Sequence, residues 1–141
     1  MAEIKIREID ELSEEISIFT DEQFSQYAES NGVDLNYEDF IFAAEDEDGK
    51  LVGVITGCAY YEEVQIGDLI IDASVRRNGL GSRLVEHVEK EYSGKGYKIL
   101  TLTTHGFQAP EFYRKLGFEL EFVRENKDPK LSKYFFRKAL S

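Results

Sequence analysis

The amino-acid sequence predicts an α/β domain built on a mixed β-sheet, and three observations lead to this prediction. The chain has 141 residues, the usual size of one domain and enough to bury a sizeable core. Segments with strand-like patterns alternate with segments whose apolar residues recur at helical spacing. No internal repeat, low-complexity tract or linker divides the sequence. We therefore expect a single domain over residues 1–141.

The first third of the chain predicts one strand and a helical region. Residues Glu3–Ile9 alternate polar and apolar side chains, which is typical of a strand. Between Asp10 and Gly32 the apolar residues follow helical spacing. We expect two short helices there, separated near Thr20–Asp21, with Thr20 capping the second.

A β-hairpin and a further strand are predicted next. Two apolar segments, Phe40–Ala44 and Leu51–Tyr60, flank the turn-forming residues Asp46–Gly49. Val64–Asp72 ends in a short apolar run and predicts the following strand.

The second half of the chain alternates helices and strands. Apolar side chains from Leu80 to Tyr92 form one stripe, which predicts an amphipathic helix, and Gly94 and Gly96 end it. The remaining predicted elements are a strand, a short helix and two strands: Tyr97–Thr103, Gln108–Leu116, Phe118–Arg124 and Tyr134–Leu140.

The charge balance excludes some classes of partner. Lys and Arg number 17 and Asp and Glu 28, so the formal net charge is −11. Such a chain repels nucleic acid and anionic membranes and favours cationic partners. An anionic ligand would need a local binding device, because the field of the whole molecule opposes it.

Cysteine content and hydropathy point to a cytoplasmic protein. Cys58 is the single cysteine, which excludes an internal disulfide and a multi-cysteine zinc site and favours a reducing compartment. No apolar run approaches the roughly 20 residues that span a bilayer. Residues 1–10 lack the apolar segment of a signal peptide. We expect no metal, no membrane partner and a cytoplasmic location.

One strand-to-helix turn has the properties of a pyrophosphate cradle. Arg76, Arg77 and Arg83 concentrate positive charge, and Gly79 and Gly81 let a ligand approach the backbone. The free N–H groups and dipole of the following helix favour an anion. The segment is neither a Walker motif nor a three-glycine dinucleotide fingerprint. An ordinary turn with structural glycines and solvated arginines is the alternative.

A second segment, Phe107–Phe118, predicts a short helix that carries Phe112 and Tyr113. By itself it indicates a packing helix with aromatic anchors. Together the two segments resemble the GNAT family of acyl-CoA N-acyltransferases. Arg76–Gly81 fits the family motif R/Q-x-x-G-x-G/A, and Ala109–Phe118 fits A-x-x-F/L-Y-x-K-x-G-F. One helix and one strand separate them, as in the family.

The resemblance implies a fold and an activity. The fold would be a mixed, mostly antiparallel sheet of about six to seven strands flanked by about four helices. The activity would be transfer of an acetyl group from acetyl-CoA to the primary amine of a small acceptor by direct attack. Acetyl-CoA would lie where the strands Val64–Asp72 and Tyr97–Thr103 splay apart.

The resemblance also implies the residues that bind acetyl-CoA. Backbone near residues 69–72 would pair with the pantetheine arm, and amides near residues 77–82 would hold the pyrophosphate. The expected binding residues are Leu69, Ile70, Ile71, Arg76, Arg77, Asn78, Gly79, Leu80, Gly81, Ser82, Gln108 and Tyr113. The family often has Asn where this chain has Gly106, and Gln108 is the candidate to replace its contact.

The resemblance gives Tyr113 the role of the general acid that protonates the departing thiolate, which suits a hydroxyl with a pKa near 10. The general base is less defined. Asp68 has apolar neighbours whose burial would raise its pKa, and His105 has a pKa suited to base work. Glu62 and Glu63 are further candidates, and a water relay is the alternative.

Other interpretations remain open. Carboxylates and aromatic side chains between Phe24 and Phe40 suit a cationic amine, or form a solvated acidic face. The alternatives are a module that senses acyl-CoA without turnover, an enzyme that acetylates a protein or peptide amine, and a nucleotide-binding or structural protein that matches the motif by chance. The final strand, with Tyr134, Phe135 and Phe136, is a candidate for pairing two chains in a homodimer.

Overall fold

A six-stranded mixed sheet organises the second and larger part of the chain. The computed structural model describes residues 2–141, which group into two units, one up to Leu35 and one from Asn36 to Ser141. The strands are β1 Glu38–Glu45, β2 Leu51–Tyr60, β3 Glu63–Ile71, β4 Ile99–His105, β5 Glu119–Arg124 and β6 Lys133–Ala139. Their order is β1-β2-β3-β4-β6-β5, and only β3 and β4 run parallel.

The helices are fewer than expected. They are α1 Glu14–Ser30, α2 Leu80–Tyr92 and α3 Pro110–Lys115, with 3₁₀ turns at Ala73–Val75 and Pro129–Leu131. The described residues thus contain three α-helices rather than four. The mixed, mostly antiparallel sheet is confirmed, with six strands.

The unit up to Leu35 corrects two predictions. Residues 2–9 form neither helix nor strand, because an alternating pattern makes a strand only where a neighbouring backbone pairs with it. One continuous helix replaces the two expected. Ser13 Oγ caps it by accepting from the Ile16 amide at 3.2 Å. Thr20 caps nothing, since its hydroxyl donates to the Ile16 carbonyl inside the helix.

The sheet of residues 36–141 has two distinct faces. The helix face carries buried side chains such as Ile55, Val64, Leu100 and Phe136. A Cβ on Gly53 would lie 3.2 Å from Leu80, so α2 packs closely on this face. Alternate residues of each strand form the second face, which within residues 36–141 carries neither α2 nor α3.

Helix α3 packs on the helix face at the opposite side of α2 from β1. The ring of Tyr113 lies 6.3 Å from that of Phe136, and a Cβ on Gly81 of α2 would lie 3.1 Å from Phe112. The hydrophobic core therefore joins both helices to the sheet. No helix in residues 2–141 has the length and apolar character needed to cross a lipid bilayer.

Strand β6 lies inside the sheet, so it cannot pair two chains in the way predicted, and the homodimer itself stays a prediction. It pairs with β4 on one side and with β5 on the other. Its backbone groups are therefore already used, and a second chain has no free edge there to extend. The edge strands of this sheet are β1 and β5.

Candidate active site

The parallel strands β3 and β4 separate after three paired residues. Glu63, Val64 and Gln65 pair with Ile99, Leu100 and Thr101. Beyond this point β3 continues to Ile71 and β4 to His105 without further pairing between them. The expected splay is therefore present, and it leaves backbone groups of β3 open to an extended ligand.

A β-bulge marks the start of the unpaired part of β3. The register with β2 shifts between Ile55, which faces Leu69, and Gly57, which faces Ile66. Gly67 and Asp68 thus oppose Thr56 alone, and the Asp68 amide donates to the Thr56 hydroxyl at 3.2 Å. A bulge bends its strand and re-aims the residues that follow. Here it turns Leu69–Ile71 along the cleft.

The turn between β3 and α2 leaves several amides free. Gly79, with φ at 84°, begins the helix without a side-chain cap, and the Leu80 amide contacts Asn78 Oδ1 at 3.3 Å. The amides of Gly81 and Ser82 have no hydrogen-bond partner within residues 2–141. A helix of 13 residues therefore begins with unsatisfied donors, which fits the expected pyrophosphate cradle.

The arginines around this turn are fixed to different degrees. Arg76 Nε donates to the Ile71 carbonyl at 3.2 Å, which ties the turn back to the end of β3. Arg77 has a φ of 70°, a conformation uncommon for a residue with a side chain. Arg83 is exposed on the first turn of α2. Arg76 and Arg77 carry positive charge to the turn itself, and Arg83 carries it to the groove between β1 and α2.

Tyr113 lies on α3 among aromatic rings. It is 7% exposed, and its ring contacts Phe112 and Phe118 edge-on at 5.0 and 5.6 Å. Burial raises the pKa of Tyr113 to about 12, so the hydroxyl keeps its proton at neutral pH. The hydroxyl makes no hydrogen bond within residues 2–141, yet no fully enclosed side-chain polar atom there lacks a partner. Its oxygen therefore retains access to solvent, as a proton donor must.

The end of β4 and the start of α3 form a hydrogen-bonded corner. Gln108 Oε1 accepts from the His105 amide at 2.8 Å and lies 3.3 Å from His105 Nδ1. The side-chain N–H₂ of Gln108 has no partner within residues 2–141, so it remains a free donor. The ring of His105 stacks on Phe107 at 6.1 Å.

The structure explains the glycine at position 106. A Cβ there would overlap the Pro129 carbonyl oxygen, because the β5–β6 loop docks against this corner. The Gly106 amide donates to the Ser132 carbonyl and the Phe107 amide to the Lys130 carbonyl. An asparagine has no room here unless the loop moves.

The candidate bases are dispersed. Asp68 is exposed at the bulge, so the burial expected for it is wrong. Its apolar neighbours Leu69 and Ile71 turn toward the helix face, whereas Asp68 does not. Glu63 Oε2 accepts from the Thr101 hydroxyl at 2.6 Å, and Glu62 lies exposed in the turn before β3. His105 is half-buried at the end of β4.

A groove of about 780 Å³ lies outside this cleft, between β1 and α2. It shares Asn78, Leu80 and Arg83 with the turn between β3 and α2 and the first turn of that helix, but includes no residue of β3, β4 or α3. Its walls mix apolar with both signs of charge, for example Phe42, Glu86 and Lys90. The splay joins the free β3 backbone to the free amides of α2, so it is the better candidate for the reaction.

Comparison with known proteins identifies the family of this chain. The model of the acetyltransferase (GNAT) family matches residues 5–118. The chain belongs to the GNAT acetyltransferase family. It is therefore an acetyl-CoA-dependent N-acetyltransferase, and the resemblance drawn from the two motifs is confirmed.

Individual relatives support this placement. A blasticidin-S acetyltransferase of Streptomyces morookaense is 31% identical over 98 residues, which cover 67% of this chain and 70% of that protein. The crystal structure of an acetyltransferase from Bacillus cereus ATCC 14579 is 31% identical with a TM-score of 0.77, over 95% of this chain and 98% of that one. An aminoglycoside 6'-N-acetyltransferase complexed with coenzyme A shares the fold at 22% identity, with a TM-score of 0.62 over 96% and 97%.

Sequence reasoning missed one group of residues near the cleft. The second face carries Lys133 and Arg124 beside His105, because β6 and β5 lie next to β4. Strand order and register place these three together across the sheet, and neither is visible in the sequence. No local pattern in residues 119–124 or 133–139 indicates that these side chains lie together.

Proposed function

We propose that this enzyme acetylates the primary amine of a small molecule and that the β3–β4 splay is its reaction cleft. The observation that carries the proposal is that the open backbone of β3 and the free amides of α2 lie next to each other along the chain. The unpaired backbone of β3 after the bulge leads directly to the uncapped N-terminus of α2. An elongated ligand with a pyrophosphate at one end fits that arrangement.

In this proposal acetyl-CoA brings the activated acetyl group, and the chain holds it along its length. Backbone of Leu69, Ile70 and Ile71 pairs with the pantetheine arm. The phosphate turn, with Arg76, Arg77, Asn78, Gly79, Leu80, Gly81 and Ser82, binds the pyrophosphate. The free amide N–H₂ of Gln108 donates to the arm, which supplies the contact that Gly106 lacks. Holding these groups far from the reacting carbon positions the thioester for attack.

The proposed proton path runs between two sides of the cleft. Tyr113 donates the proton that the departing sulfur needs, and its raised pKa of about 12 keeps that proton available. The attacking amine must first lose a proton. Asp68 at the bulge and His105 at the end of β4 are the proposed acceptors, because they stand on the two strands that form the cleft.

We further propose that the acceptor approaches as a cationic ammonium group. The β1–β3 half of the second face carries Asp39, Glu63 and Asp68. Tyr37 and Tyr60 stack beside them at 6.3 Å, and the Tyr37 hydroxyl donates to Asp39 at 3.0 Å. Carboxylates and aromatic rings together suit a cation. Relatives named for blasticidin-S and aminoglycosides point to small-molecule acceptors as well.

Thermal unfolding in the presence of candidate ligands tests the donor site. Acetyl-CoA at 100 times its Kd should add about 2.7 kcal/mol, which raises Tm by roughly 2–8 °C for a domain of this size. NAD and ATP at the same concentration are the controls. No shift with acetyl-CoA or CoA would overturn the proposed cleft.

Turnover then tests the acceptor class. Release of free thiol from acetyl-CoA is followed with a panel of small primary amines and with peptides. Faster release with small amines is the expected result. Release with peptide amines alone would replace the proposed acceptor class, and release with none would favour an acyl-CoA sensor.

A further inference from the structure

Three basic side chains form a row across the second face of the sheet. The register pairs His105 of β4 with Lys133 of β6, and Lys133 with Arg124 of β5. Directly paired residues point to the same face, so the three side chains lie side by side across three strands. We call His105, Lys133 and Arg124 the basic row.

The basic row lacks counter-charges. Lys133 and Arg124 form no ion pair and no side-chain hydrogen bond within residues 2–141. Both instead lie over the ring of Phe135, at 5.3 and 5.6 Å from its centre. Two like charges placed opposite each other on paired strands repel. The arrangement is the more unusual because the chain has 28 acidic residues and a net charge of −11.

A neighbouring arginine shows that this strand can pair its cations. Arg137 lies four residues after Lys133 on the same face of β6 and contacts Glu121 at 3.9 Å. A cation on β6 can therefore have a carboxylate partner, and the lack of one is specific to the basic row. An exposed aromatic ring, Phe122, lies 5.7 Å from Phe135 and extends the floor of the row toward β5.

The basic row begins at the reaction cleft. His105 ends β4, the strand that separates from β3. Neighbouring strands lie about 4.8 Å apart, so Lys133 and Arg124 stand roughly 5 and 10 Å to the side of β4. On the opposite side of the cleft, the same face carries Asp68 at the bulge of β3, while Glu63 and Asp39 lie farther back, level with the paired residues 63–65. The cleft therefore has the carboxylate of Asp68 on its β3 side and the basic row on its β4 side, and the acidic residues Glu119 and Glu121 of β5 lie next to Arg137 instead.

We propose that the acceptor carries an anionic group in addition to its amine, and that the basic row binds it. The inference rests on the proposed function, because it assumes that the amine enters the β3–β4 cleft. Asp68 then meets the ammonium end of the acceptor, while Lys133 and Arg124 hold a carboxylate or a phosphate. Phe122 and Phe135 provide an apolar floor beneath the part that connects the two ends.

This assignment accounts for features that a purely cationic acceptor leaves unexplained. A polycation would be repelled by Lys133 and Arg124 at the edge of the cleft. A nucleic acid would be repelled by the rest of a chain with net charge −11. A small molecule with both signs of charge matches the carboxylate of Asp68 on one side of the cleft and the basic row on the other.

Matched acceptors test the assignment by turnover. The set is 5-aminopentanoate, its methyl amide, and 4-aminobutyl phosphate, which share an alkylamine and differ in the far end. For the wild type we expect kcat/KM to be at least about tenfold higher for the two anionic acceptors than for the amide, through KM. In Arg124→Gln and Lys133→Gln that ratio should fall toward one.

Arg137→Gln is the matched control, since it removes a cation from the same strand and face outside the row. It should keep the wild-type ratio. A preference for anionic acceptors that survives in the Arg124→Gln, Lys133→Gln double variant would overturn the proposal. So would equal kcat/KM for all three acceptors in the wild type. Either carboxylate or phosphate as the better substrate identifies which anion the row binds.

A binding experiment covers the case in which none of the three amines is acetylated. Inorganic phosphate is titrated into the CoA-saturated, isotope-labelled protein, so that the phosphate turn is already filled. Saturable shifts of the backbone amide resonances at positions 124 and 133 support the proposal if the same two positions do not shift in the double variant. Unchanged resonances contradict it. Failure of the proposed function instead appears as absence of CoA binding and of acetylation with every amine.

Discussion

Tyr113 tests the reaction mechanism at the scale of a single residue. Replacing it with Phe removes the hydroxyl but keeps the ring against Phe112, Phe118 and Phe136. We expect kcat to fall by about 10²–10⁴, as is typical when a general acid is lost. The Kd for acetyl-CoA should change little. Steady-state kinetics and calorimetry measure the two quantities.

Tyr97→Phe is the control for this substitution. Tyr97 is half-buried against Tyr92, at a ring distance of 5.5 Å, and lies outside the cleft. Its kcat should match the wild type. If Tyr113→Phe also kept the wild-type kcat under conditions where chemistry limits the rate, Tyr113 would have no part in proton transfer.

The same tyrosine predicts how stability depends on pH. Burial raises the pKa of Tyr113 to about 12 from an ordinary value of 10.0, so the folded state holds this proton more tightly than the unfolded state. The resulting stabilisation is fully present below pH 10 and is lost as the pH rises toward 12. Denaturant unfolding between these values should show a steeper loss of stability in the wild type than in Tyr113→Phe. Parallel curves for the two proteins would contradict the buried position of the hydroxyl.

At the scale of elements, local patterns predicted much of the sheet and both helices of residues 36–141. The hairpin of β1 and β2 followed from two apolar segments and a turn, and α2 followed from its apolar stripe. The prediction failed where a pattern needs a distant partner. Residues 3–9 alternate like a strand but pair with nothing in the described chain. The internal place of β6, and with it the basic row, depends on strand order, which no local pattern encodes.

The candidate site was predictable to a similar extent. Glycines and arginines at the start of α2 are local signals, and the turn has the free amides expected of it. The bulge at Gly67–Asp68 exposes Asp68, which its apolar neighbours in sequence did not suggest. The Gly106 position depends on a loop more than 20 residues away in sequence, so its cause was not readable from the chain.

A negative charge added at the N-terminus of α2 should have opposite effects on the free energy of unfolding and on the affinity for acetyl-CoA. Ser82→Glu places a carboxylate in the first turn, where the helix dipole favours it by about 0.3–1 kcal/mol. The same charge repels the pyrophosphate, so we expect acetyl-CoA affinity to fall by at least about tenfold, or 1.4 kcal/mol. Thermal unfolding without ligand and calorimetry with acetyl-CoA measure the two effects.

Ser82→Ala separates charge from the loss of the hydroxyl. This variant should bind acetyl-CoA with an affinity close to that of the wild type, because the proposed contact uses the backbone amide. Were Ser82→Glu to bind acetyl-CoA as tightly as Ser82→Ala, the pyrophosphate would have to lie elsewhere.

At the scale of the whole molecule, a net charge of −11 opposes an anionic substrate that the phosphate turn attracts. The two fields have different ranges. At an ionic strength of about 0.01 M the Debye length is about 30 Å, so the approaching ligand experiences the whole chain. At about 0.1 M it is about 10 Å. The repulsion from distant carboxylates is then screened, whereas the attraction of the arginines close to the bound ligand largely remains.

We therefore expect the association rate of acetyl-CoA to rise as ionic strength increases from about 0.01 to 0.1 M. Stopped-flow fluorescence or calorimetric kinetics at constant pH gives the rate, and potassium chloride sets the ionic strength without adding phosphate that would compete for the site. Arg83→Gln should bind more slowly at every ionic strength, because it removes an exposed positive charge from the first turn of α2, next to the cradle. A rate that falls with added salt would mean that the local arginines dominate the approach even at long range, so that the acidic surface has no influence on encounter.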